Sequence, residues 1–205
     1  MDEKKLDFMD EKIIHLLNED YRCLAEQSKQ RDIVQGVQAG LVVLDNISME
    51  FEEKSLLEDK IRIRLPKSFT VMSPEIAAIK FPSERRPGLI YSNSTASISI
   101  SFNHTNNNVL EDQINEAKNS MLQVLKKLQP SAVWLEDGVK TIAGKNIGYF
   151  DFLTKAIDTD IYNFMFLVEL DGRLLMCNFN CTVNEMEDWK FVARGIMESL
   201  RIYSN

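Results

Sequence analysis

The sequence predicts an α+β fold. An antiparallel β-sheet is flanked by helices on both faces, a three-layer α/β/α sandwich, and a helical N-terminal segment precedes it. Three observations carry this reading. Segments 147–155, 161–170 and 173–183 are long, alternating and separated by short turns, as in a β-meander. The middle one is apolar on both faces, with Tyr162, Phe164, Phe166 and Val168 on one side and Met165 and Leu167 on the other, so both sides of the sheet require a cover. Amphipathic helical stretches lie before and after the meander and can supply it.

The chain of 205 residues divides, on this reading, into a charged helical segment over 1–58 and an α+β sandwich domain over 59–205. In the first part, Leu6, Met9, Ile13, Leu16, Tyr21 and Leu24 recur at near-helical spacing. Val34, Val37, Leu41, Leu44 and Phe51 extend the pattern, broken by Ser48, and predict a second helix. The two stretches fit a helical hairpin, packing on the main domain or a coiled-coil-like seam with another chain. Gly36 and Gly40 weaken the helix and would admit a close backbone neighbour.

The sandwich begins with Ile61-Arg-Ile-Arg-Leu65, a half-buried strand stopped by Pro66. A short strand is predicted over 76–81, closed by Pro82, then strands over 89–93 and 97–102, with a polar loop at 104–108. Asn108 followed by Glu111 reads as a capping box for a helix carrying Leu110, Ile114, Ala117, Met121 and Leu128, which Pro130 ends. Segments 132–135 and 139–142 flank Asp137-Gly138 as a hairpin, and Gly144-Lys145-Asn146 makes the next turn. Asp171-Gly172 joins the last two meander strands. A closing helix starts from Asn184 with Glu187 three residues on, and directs Trp189, Val192, Ile196, Met197 and Leu200 inward.

Composition narrows the function classes. Residues 1–60 carry 15 acidic and 8 basic side chains, and residues 61–205 carry 16 of each. Neither part has the positive excess that a phosphate backbone demands, so no nucleic-acid partner is expected. No apolar run is long enough to span a membrane. The charged start MDEKKLDFMDEK lacks the apolar core of a secretory signal, so the expected location is cytoplasmic. Of the three cysteines, Cys177 and Cys181 lie four residues apart on one strand face, about 13 Å, too far for a disulfide, and read as core. His15 and His104 have no ligand-spaced partner, and no phosphate-binding glycine pattern or nucleophile elbow is present. The reading is therefore no enzyme, no metal and no cofactor.

These features together resemble the Mog/PsbP/DcrB-like group over residues 60–202. They are the early strand ending in Leu65-Pro66 with Phe69, the long helix before Trp134, the meander from Gly144 to Asn180, and the terminal helix with Trp189 and Ser199-Leu200. The resemblance implies an antiparallel sheet flanked by helices and a role as a binding or assembly factor. The helical preface and the missing lipid-attachment cysteine depart from that group.

One cluster stands out as a partner contact. Lys80, Arg85 and Arg86 lie in or beside a loop stiffened by Pro82 and Pro87, which would present cations to a carboxylate-bearing protein. The functional expectation is a non-catalytic interaction or assembly scaffold that contacts another protein, or a second copy through the N-terminal helices. Two alternatives stand beside it: a small-molecule or enzymatic pocket between sheet and helix lined by Tyr149, Tyr162 and Trp189, and a self-assembling structural protein.

Overall fold

The computed structural model describes residues 3–44, 46–83, 86–156 and 158–203, with α1 side chains described from Glu19 onward. Helix α1 (Glu3–Ala39) leads into strands β1 (Leu41–Leu44) and β2 (Ile47–Leu56). Next come β3 (Ile61–Pro66), β4 (Thr70–Val71), helix α2 (Pro74–Lys80), β5 (Leu89–Ser92) and β6 (Ser99–Asn108). A 3₁₀ turn at Glu111–Gln113 opens helix α3 (Ile114–Leu128). The meander β7 (Val133–Ile142), β8 (Lys145–Thr154), β9 (Ile161–Leu170) and β10 (Arg173–Thr182) follows, and α4 (Met186–Glu198) and β11 (Arg201–Ile202) close the chain.

Among the described residues all strand pairs are antiparallel and form two sheets. One is ordered β1-β2-β3-β11, the other β4-β5-β6-β10-β9-β8-β7. The seven-stranded sheet is covered on both faces, as its two apolar faces require. Phe150, Phe152 and Leu167 pack under α3 with Ile114, while Tyr162, Phe164, Phe166, Cys177 and Phe179 join the core beneath α4. The four-stranded sheet adds Ile61, Ile63 and Leu65 to that second core. Trp189 of α4 stacks between Phe69 and Phe179, each 5.9 Å away, and so ties the helix to β10.

The helical reading of 1–58 is corrected: Glu3–Ala39 is one continuous helix, with no break between the two stretches at which a hairpin could turn, and the residues after it form strands. Gly40, at φ 92°, takes up a left-handed conformation and its N–H closes the helix onto Gly36 and Val37 carbonyls. The next residues, Val42 and Val43, are β-branched, and β2 pairs with β3 from Phe51↔Pro66 to Leu56↔Ile61. The single sheet of the sequence reading thus becomes two.

Four smaller readings are also corrected. Residues 76–81 belong to α2, because Ser73 Oγ accepts from Ile76 N–H and Pro74 starts the helix. Residues 104–108 extend β6, where Thr105 Oγ1 donates to the Leu174 carbonyl. Gln113 Oε1, not Asn108, accepts from the backbone at the start of the third helix, and Glu185, not Asn184, precedes α4. Asp137-Gly138 lies inside β7 at a bulge, and the turn sits at Ala143-Gly144, where φ is positive at both residues.

Candidate functional site

Helix α1 is joined to the body at its C-terminal end. Ile33 and Val37 are buried, and Val37 enters the notch left by Gly195 on α4, where an added Cβ would meet Val37 Cγ2 at 2.8 Å. Gly195 therefore serves a close helix–helix crossing with α1. Gly36 admits the Leu41 carbonyl in the same way, at 2.7 Å from an added Cβ. Further toward its N-terminus the contacts of α1 become ionic. Lys29 pairs with Asp188 at 2.6 Å, and Lys190 pairs with Glu26 at 2.5 Å. Beyond these, Glu19 through Ser28 are exposed without interruption, including Tyr21 at 71% and Leu24 at 63%.

Beneath this stretch lies a groove of about 390 Å³, walled by Cys23 and Gln27 of α1 and Leu135 of β7, with Lys190 and Arg194 of α4 at its floor. Arg194 is the centre of a buried polar network. Its Nη2 donates to Glu136 Oε2 at 2.9 Å and to Asp151 Oδ2 at 3.3 Å. Its guanidinium lies 5.3 Å from the ring centroids of both Tyr149 and Phe164. Asp151, buried on β8, also accepts from Tyr162 OH at 2.9 Å and from Glu136 N–H at 2.7 Å. The β7 bulge supplies this geometry, since the extra residue turns Leu135 and Glu136 toward α4. Burial, followed by the Asp151 charge, pushes the Tyr162 phenol far up, and burial does the same to a smaller degree at Tyr149.

The network is satisfied internally. Asp151 has three donors on its two oxygens, and Arg194 is matched by two carboxylates. A second arrangement has the composition of a serine–lysine pair: Lys80 Nζ lies 3.3 Å from Ser99 Oγ, and burial lowers the lysine. Ser99 has no exposed surface and donates its hydroxyl to Asn180 Oδ1 at 2.9 Å, so a substrate has no path to it.

The sequence-predicted residues are placed as follows. Lys80 turns inward and donates to the Ala96 carbonyl at 2.5 Å. Arg86 is exposed, with its N–H bonded to the Ser83 carbonyl at 3.2 Å, and Arg85 lies outside the described residues. His104 joins β6, its Nε2 2.9 Å from the Leu170 carbonyl, and the side chain of His15 lies outside the described ones. Cys177 and Cys181 are buried and free, and burial pushes the thiols up, that of Cys181 to about 12. Of Tyr149, Tyr162 and Trp189, Tyr162 is fully buried, Trp189 is packed between two phenylalanines, and Tyr149 lies against the Arg194 guanidinium. Among the described residues no three His, Cys, Asp or Glu side chains converge as a metal site, and no helix is long and apolar enough to cross a membrane.

The sequence reading missed Arg194, Asp151 and Glu136. A signal existed at Asp151, a carboxylate on the same strand face as Ile147, Tyr149 and Leu153, which calls for a buried cation opposite.

An antiparallel sheet covered on both faces, with a terminal helix over its central strands, defines an α+β sandwich. It is the PsbP-like fold, in agreement with the resemblance drawn from the sequence. The solution structure of cyanobacterial PsbP (CyanoP) from Synechocystis sp. PCC 6803 superposes with a TM-score of 0.55 at 9% identity, over 75% of this chain and 92% of that one. PA94 from Pseudomonas aeruginosa matches with a TM-score of 0.45 and 12% identity, over 80% and 97% of the two chains. LpqN, involved in cell envelope biogenesis of Mycobacterium tuberculosis, matches at 0.44 and 10%, over 76% and 92%. No family model matches the sequence, and no curated protein does.

Proposed function

We propose that this protein is a non-catalytic interaction module that engages another polypeptide through α1. The observation that carries this reading is the unbroken exposure of Glu19–Ser28 on a helix whose other end is anchored in the core. Tyr21 and Leu24 continue the apolar repeat read from the sequence, and a helix that exposes such a repeat gains by covering it. The partner is a second helix, from a different protein or from another copy of this chain. The Arg85–Arg86 loop is proposed as a supplementary contact for carboxylates, with Lys80 contributing to the loop's footing. Cytoplasmic residence is part of the proposal, and the free thiols fit a reducing compartment.

The test compares the full chain with its Tyr21→Glu/Leu24→Glu variant. Affinity capture followed by sedimentation analysis should recover a stoichiometric complex with the parent and none with the variant. Equal recovery from both would refute the assignment to α1.

A further inference from the structure

We propose that residues 23–32 of α1 act as an ionically latched strap over the Arg194 groove. The groove passes between this stretch and β7, with Cys23, Gln27 and Gln30 on one side and Leu135 and Glu136 on the other. No residue from Glu19 to Asp32 is buried, and apolar anchoring by α1 begins only at Ile33. Ion pairs tie the strap to α4. Lys190 donates to Glu26, and Lys29 reaches Asp188 at 2.6 Å and Glu187 at 3.8 Å. The latch is solvated, because Glu26 keeps 56% of its side-chain exposure and Lys29 keeps 41%. Pairs of this kind are screened by salt, as the Debye length falls from about 8 Å at physiological ionic strength to about 3 Å at 1 M.

The strap ends at Ile33, the first buried residue of α1 among the described side chains, so the stretch before it can lift while the anchored turn stays in place. Released from α4, the strap would uncover Glu136 and the floor formed by Lys190 and Arg194, while Ile33 and Val37 stay in the core. This goes beyond the proposed partner contact, because the motion needs no partner and is read on the isolated chain.

Cys23 supplies the probe, since Cys177 and Cys181 are buried. The full chain carrying Leu135→Cys is spin-labelled at both exposed positions and the distance across the groove is measured by pulsed electron resonance. At low salt the distribution should be narrow. At 1 M salt it should broaden and shift to longer distance. Lys190→Glu should produce the broad distribution at low salt, and Glu26→Lys/Lys190→Glu should restore the narrow one. A distribution that ignores both salt and Lys190→Glu overturns the proposal, as does one that is already broad in the parent at low salt.

Discussion

At the scale of single residues, the strongest commitment is the charge of Arg194. Its side chain is 11% exposed and its partner Asp151 is 6% exposed, so neither ion is solvated by water alone. Removing one member of such a pair strands the other. Arg194→Ala is expected to destabilise the fold by about 3 kcal/mol in urea titration, whereas Tyr162→Phe, which deletes one of three donors to Asp151, should cost about 1 kcal/mol. The cysteines offer a second check. One thiol, Cys23, should react with a thiol reagent in the native protein, and the other two only after unfolding. Reaction of two or three thiols at the same fast rate would contradict the packing of β10.

At the scale of elements, the glycines distinguish contact from turn. Gly36→Ala places a Cβ against the Leu41 backbone oxygen, which cannot give way, and should destabilise by about 2 kcal/mol. Gly144→Ala meets no neighbour within 4 Å and bears only the strain of its φ of 81°, about 1 kcal/mol. Equal effects at the two sites would mean that α1 does not lie on the β1 edge. The ion pair at Glu26 has its own pH signature. The hydrogen bond and charge of Lys190 hold this carboxylate below its usual range. Its contribution is therefore complete above about pH 4.3 and is lost as pH falls through the lower folded value.

The legibility of the sequence differs element by element for physical reasons. Strands β8, β9 and β10 are readable because each alternates over ten residues and the Asp171-Gly172 turn is unambiguous. β1 and β2 were hidden because Val37, Leu41 and Leu44 satisfy a helical spacing, and only the left-handed Gly40 breaks it. α2 was hidden because seven residues are too few to show a period. Asp151 on a buried strand face was a legible signal, but its partner Arg194 was not, since it lies 43 residues away in sequence and meets Asp151 only after the sheet forms.

At the scale of the whole molecule, the question is which surface the proposed partner would take. Sheet edges are common templates for association, and the edge strands here carry features that oppose it. The Leu41 carbonyl at the start of β1 lies against Gly36 of α1. β7 is bulged and carries Glu136, Asp137 and Lys140, while β4 and β11 are two residues each. These features disfavour strand addition, and the proposed contact is the exposed stretch of α1. Tyr21→Glu/Leu24→Glu should leave the unfolding free energy within about 0.5 kcal/mol of the parent, because neither side chain is packed. The most direct measurement of the account is photo-crosslinking from position 24 of the full chain in the cells that make it. A photoreactive side chain there should give one discrete covalent adduct, lost when Tyr21→Glu is added and absent when the same group replaces exposed Asn107. No adduct from position 24, or the same adducts from both positions, would contradict a partner-binding α1.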